Sequence, residues 1–118
     1  MTTFSGKVYL HVADTTLASS LARWLRGRIG ANPLLPHPTV VAGLNGPALL
    51  LATERDCDER LCARLVASAV TVVVLASVPS EQQKKAYEAA GASAYVPMSA
   101  DTSNLEATIR ALVAAQEV

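Results

Sequence analysis

The run "AVTVVVLAS", Ala69 to Ser77, is apolar without alternation and rich in β-branched residues. A strand with one wet face would alternate apolar and polar side chains, so this pattern belongs to a strand covered on both faces, as in parallel sheets. Parallel neighbours need a crossover, normally a helix. The following residues supply it. Ser80 and Gln83 have capping-box spacing behind Pro79, and Gly91 stands where a left-handed C-terminal cap is expected. "SAYVPM" then reads as the next strand.

The same alternation runs through most of the chain. "KVYLHVA" reads as a first buried strand, and "DTTLASSLARWLRGRIG" as a helix opened at Asp14 or Thr15 and closed at Gly27 or Gly30. Its apolar stripe is Leu17, Leu21, Trp24 and Leu25. "PALLLAT" is another strand, and "DCDERLCARLVAS" a helix with Asp56 and Glu59 in capping-box spacing and Leu61, Leu65 and Val66 on one face. Ser103 and Glu106 open a last helix carrying Leu105, Ile109, Leu112 and Val113. Between the first helix and "PALLLAT" lies "ANPLLPHPTVVAGLNGP", with four prolines and two glycines. Proline removes ladder donors, so "LL" and "TVVA" are expected to form no more than short or edge strands. The fold class this implies is α/β: a flavodoxin-like, doubly wound, five-stranded parallel sheet with helices on both faces and a reduced second helix.

A chain of 118 residues forms one domain (1–118), so one site or surface carries its function. Hydrophobic residues make up 51% and charged residues 17%, the composition of a globular fold. Lys plus Arg and Asp plus Glu number 10 each, which disfavours direct nucleic-acid binding driven by a global basic field. Apolar runs are far below the ~20 residues that span a bilayer, and "MTTFSGK" lacks signal-peptide regions, so a cytoplasmic location without membrane contact is expected. Cys57 and Cys62, read as lying on one helix, are turned about 140° apart and make a poor disulfide pair. Together with His11, read as a packed strand residue, and the loop residue His37, they match no metal spacing. Arg23, Arg26 and Arg28 sit where cations favour the end of the first helix.

In doubly wound folds, chemistry sits at the carboxyl ends of the strands. Here those ends read Val12, Ala13 and Asp14; Ala52 and Thr53; Ala76 and Ser77; Pro97 and Met98. Almost nothing there serves as acid, base or nucleophile, and Asp14 reads as a helix cap. From Val72 to Val113 the order "VVVLAS", a capped helix ending "AAGA", "SAYVPMS" and "DTSNLEATIRALV" resembles the C-terminal half of a response-regulator receiver domain. "KVYLHVADTTLASSLARWL" resembles its first strand and helix more weakly. The resemblance places Val12 and Ala13 where receivers carry their Mg²⁺-binding acidic pair, and Ala52, or Thr53 after a one-residue slip, at the phosphorylated Asp. It places Ala76 at the switch hydroxyl and Met98 at the lysine.

The resemblance therefore implies a degenerate pseudo-receiver: a signalling module that is not an enzyme, holds no cofactor or metal, and meets a protein partner, with a homodimer as one form. The surface it implies is the helix at Glu81 to Ala90, the following strand and the last helix, with Lys84, Lys85, Glu88, Tyr95 and Arg110 as candidates. The alternative is a small-ligand or nucleotide-binding flavodoxin-like domain using "DTTLASS" and Asp14, a hydroxyl-rich loop that lacks glycine.

Overall fold

The structure, a computed structural model, describes residues 7–98 and 102–116. Four parallel strands form one sheet in chain order: β1 (Lys7–His11), β2 (Ala48–Thr53), β3 (Val70–Ala76) and β4 (Ala94–Pro97). The register pairs His11 with Ala52, Thr53 with Leu75, and Ala76 with Pro97, so the carboxyl ends of all four strands lie together at one end of the sheet.

The expected fifth strand is absent among the described residues. Its remnant is a single parallel bridge on the outer edge of β1, where Leu34 N–H donates to Val8 O at 2.8 Å and Leu10 N–H donates to Leu34 O at 2.9 Å. Pro33 and Pro36 flank Leu34 and cannot extend the ladder. "TVVA" is not a strand either. Pro38–Val41 is a short helix, α2, with Pro38 in its first turn and the His37 ring accepting from Thr39 N–H. The second helix is thus reduced to four residues.

The remaining helices are α1 (Thr15–Trp24), α3 (Glu59–Ala67), α4 (Glu81–Ala89) and α5 (Ser103–Gln116). Asp14 caps α1 by accepting from Leu17 N–H, and Ser80 caps α4 by accepting from Gln83 N–H. The cap of α3 is Asp58, which accepts from Leu61 N–H, and not Asp56; the helix therefore begins later than its sequence spacing implies. Cys57 precedes that helix, so the helical angle between the cysteines does not apply; both are buried free thiols. A π-helical turn, Leu25–Ile29, extends α1 to Gly30, whose φ of 81° ends it. The α1 stripe is centred one step from the expected one. Ala18, Ala22 and Leu25 are buried, while Leu17, Leu21 and Trp24 are half-buried on its flank.

Side chains alternate across the strands and divide the core. Val8, Leu10, Leu49, Leu51, Val73, Leu75 and Val96 pack against α1 and α5, through Ala18, Leu25, Leu105 and Ile109. Tyr9, Leu50, Ala52, Val72 and Val74 pack against Val41, Cys62, Leu65 and Tyr87 of α2, α3 and α4. The chain leaves β1 over one face to reach Leu34, then crosses the other face to reach β2. This reversal is the switch point that opens a crevice at the ends of β1 and β2.

Candidate functional site

At that point lies a cleft of about 530 Å³. Val12, Ala13, Leu17 and Met98 form its apolar walls, and Asp14, Thr53, Glu54, Arg55, Asp56 and Ser77 bring polar groups to it. Ala52 and Ala76 are fully buried within their strands, and the residues that reach the cleft are their neighbours Thr53 and Ser77. The cleft residue at the end of β2 is therefore Thr53.

The loop after β2, "ERDCD", organises this end of the sheet. Asp56 Oδ2 accepts from the Thr53 hydroxyl at 2.6 Å and from Ala13 N–H at 3.0 Å. Its carbonyl lies 3.1 Å from His11 Nε2, so His11 is a packed, hydrogen-bonded strand residue. The buried Tyr87 hydroxyl of α4 donates to Cys57 O at 2.7 Å and Glu54 O at 3.1 Å. Tyr95 of β4 donates to Glu54 Oε2 at 3.3 Å, accepts from Ser80 N–H at 3.4 Å, and stacks on Tyr87 with ring centroids 5.8 Å apart. Burial, with the neighbouring Cys62, Asp58 and Asp56 charges behind it, pushes the Cys57 thiol up to about 12. Burial likewise raises Tyr87 and Cys62. Raised in this way, neither the two thiols nor the Tyr87 phenol is poised as a nucleophile or base near neutral pH.

Among the described residues the carboxylates do not assemble a divalent-cation site. Asp14 is spent on capping α1 and Asp56 on Thr53 and Ala13, and among the described residues no group of three or more His, Cys, Asp or Glu side chains can hold a metal. Sequence spacing read Asp56 as a cap and passed over Glu54. The available signal was position: a run of acids directly after a strand end faces the crevice of a doubly wound sheet.

Lys84, Lys85 and Glu88 are exposed on α4, whose inward anchor is Tyr87, with Ala86 and Ala90 half-buried. Tyr95 lines a groove with Pro79, Ser80, Lys84 and Asn104. Arg110 is not brought together with them. Six residues beyond Asn104, it is turned about 120° away around α5, where it pairs with Glu106 at 3.2 Å and donates to Arg28 O.

This arrangement is the fold of response-regulator receiver domains. Among solved structures, the chain is similar to an orphan response regulator of H. pylori, at TM-score 0.76 and 16% identity over 95% of this chain and 99% of that one. It is similar to FixJ-N at TM-score 0.76 and 13% identity, covering 97% of this chain and 96% of that one. A pilus assembly-related protein from Burkholderia pseudomallei matches at TM-score 0.77 and 12% identity, over 97% and 94% of the two chains. No protein-family model and no curated protein matches the sequence. Among the described residues, no helix is long and apolar enough to cross a membrane.

Proposed function

We propose that the protein is a pseudo-receiver, a signalling module that keeps the receiver fold without phosphorylation on Asp and acts through protein–protein contacts. The observation that carries this reading is the self-satisfied end of the sheet. Phosphoryl transfer to a carboxylate needs a free nucleophilic oxygen, a metal, and a cation and hydroxyl to hold the product. Asp56 instead holds Thr53 and Ala13 of its own chain, while Val12, Ala13 and Met98 are apolar walls. Incubation with acetyl phosphate or beryllofluoride and Mg²⁺ is expected to leave the intact mass and the amide spectrum unchanged. A stoichiometric phosphoryl adduct would overturn the reading. Ala76→Thr combined with Met98→Lys is expected to remain unphosphorylated as well.

The contact surface is the α4–β4 face, with Lys84, Lys85 and Glu88 exposed beside Tyr95. Aromatic and basic residues of this kind suit an interface core and rim. A protein described by pilus assembly shares the fold, which supports a use of it defined by assembly. The test is capture of partners by Lys84→Glu/Lys85→Glu and by Tyr95→Ala, each checked for folding. Retention of every contact of the parent by both variants removes this face from consideration. The size of the cleft, within the range of small-ligand pockets, favours one second reading, a ligand-binding domain. Native mass spectrometry of freshly purified protein distinguishes the two, since that reading requires a copurifying ligand.

A further inference from the structure

The β1 edge of the sheet is closed at one point among the described residues, by Leu34. In extended chain the N–H and C=O of one residue point to the same side, and those of the next residue to the other. Because Val8 O and Leu10 N–H meet Leu34, Leu10 O also points away from β2. A parallel ladder continued past Leu34 would bring the N–H of Pro36, two residues on, to Leu10 O, and Pro36 O to Val12 N–H. Proline has no N–H, and among the described residues neither bond forms. Leu10 is 1% exposed, with its side chain packed in the core under α1 and α5. Its carbonyl is thus a buried acceptor without a partner among the described residues, a rare state for a main-chain group in a native fold.

Leu10, Val12 and Ala13 line a cavity of about 510 Å³, together with Leu35, Pro36 and Pro38. Arg55 and Asp56 bring it one charge of each sign, so its lining favours neither anion nor cation. Its surroundings are apolar. Leu34, Leu35 and Val40 are 49%, 57% and 52% exposed; they are three of the four large hydrophobics left exposed among the described residues. Water can satisfy Leu10 O and Val12 N–H, but it does not cover that apolar patch. We propose that this edge of β1 receives an extended segment of a partner protein, which takes the ladder place that Pro36 leaves empty. One residue of a parallel segment supplies both missing groups, its N–H to Leu10 O and its C=O to Val12 N–H. Uncharged, apolar side chains on either side of that residue cover Leu34 and Leu35. A helix cannot serve, because its main-chain groups are already bonded to one another. β1 and β4 are opposite edges of the sheet, so this site is separate from the α4–β4 face and does not depend on it.

The experiment selects binders to the full chain from a displayed library of random heptapeptides. Enriched peptides, synthesised with blocked ends, are expected to be uncharged and rich in β-branched and aromatic residues. Titrated into isotope-labelled protein, they should move the Val12 amide resonance downfield as it gains an acceptor, and leave those of Lys84 and Lys85 in place. Methylating the peptide nitrogens one at a time should weaken binding about tenfold at one inner position, the contribution of one hydrogen bond, and far less at its neighbours, which face away. Leu35→Asp should weaken binding by a similar factor with unchanged far-ultraviolet circular dichroism, while Lys84→Glu/Lys85→Glu should bind like the parent. The proposal is overturned by a library that yields no binder, by peptides that leave Val12 unmoved, by tolerance of every single methylation, by a Leu35→Asp variant that binds as the parent does, or by loss of binding in the lysine variant. A parent that dimerises with rising concentration and moves Val12 without peptide overturns it too, assigning the edge to a second copy.

Discussion

Replacing Asp56 by Ala tests whether this carboxylate holds the end of the sheet together. The substitution removes two bonds of unequal weight. The Thr53 hydroxyl, whose residue is 7% exposed, loses a charged acceptor at 2.6 Å; a hydrogen bond to a charged group contributes about 1.5–3 kcal/mol. The Ala13 N–H is exposed, so water replaces its lost partner at a cost of roughly 0.5 kcal/mol. Relief of repulsion from Glu54, Asp14 and Asp58 returns a few tenths. The balance is a loss of about 2 kcal/mol, or roughly 6–10 °C in melting temperature for a chain of this length. Asp56→Asn keeps an acceptor oxygen and should lose about half as much. Urea denaturation followed by far-ultraviolet circular dichroism measures both. Combining Asp56→Ala with Thr53→Val should cost less than the sum of the single changes, with a coupling of about 1 kcal/mol or more. An Asp56→Ala variant within about 0.5 kcal/mol of the parent, or strict additivity in the cycle, would refute the role given to this carboxylate.

Gly91→Ala should lose about 1–2 kcal/mol in the same titration, because Gly91 has a φ of 101° and an added Cβ would stand 2.8 Å from Val66 Cγ1. Gly46→Ala is expected to abolish soluble expression or cost more than about 3 kcal/mol, since its Cβ would fall 1.8 Å from Ala69 O, beside the Gly46 N–H bond to Ser68 O. Raising the pH should destabilise the fold. The Cys57 thiol ionises near its ordinary 9.0 when unfolded but only near about 12 when folded, so its contribution is complete below pH 9 and lost as pH climbs toward 12. Each such group gives a slope of up to about 1.4 kcal/mol per pH unit, and Tyr87 adds to it in the same direction. A Cys57→Ser variant with an unchanged alkaline slope would refute this.

The parts of the fold legible in the sequence were those whose signals are local. The buried run of β3 with no alternation, the Ser80 cap and the Gly91 stop each report a backbone state that neighbouring residues already dictate. The proline-rich stretch was not legible in this way. Whether Leu34 forms a strand or one bridge depends on β1, which lies far away in sequence, and "TVVA" is β-branched yet helical because Pro38 and the His37 cap set its first turn. The candidate site was half legible. Fold topology pointed to the strand ends, and Val12, Ala13 and Met98 do line the cleft. Asp56 was hidden because "DCDE" offers two caps at adjacent spacings, and only the tertiary contact with Ala13 and Thr53 releases Asp56 from that duty and gives it to Asp58.

The one tryptophan of the chain joins its first and last helices. Trp24 is half-buried in a groove of about 260 Å³ with Leu21, Met98 and Leu105, and its indole N–H donates to Thr102 Oγ1 at 3.3 Å. Ultraviolet emission from this protein therefore reports one seam rather than the whole core. When α5 lifts from α1 the indole enters water and its spectrum moves to the red, even while the sheet keeps its ellipticity. Comparing the two signals along a single unfolding curve tells whether the last helix leaves together with the rest of the molecule or ahead of it.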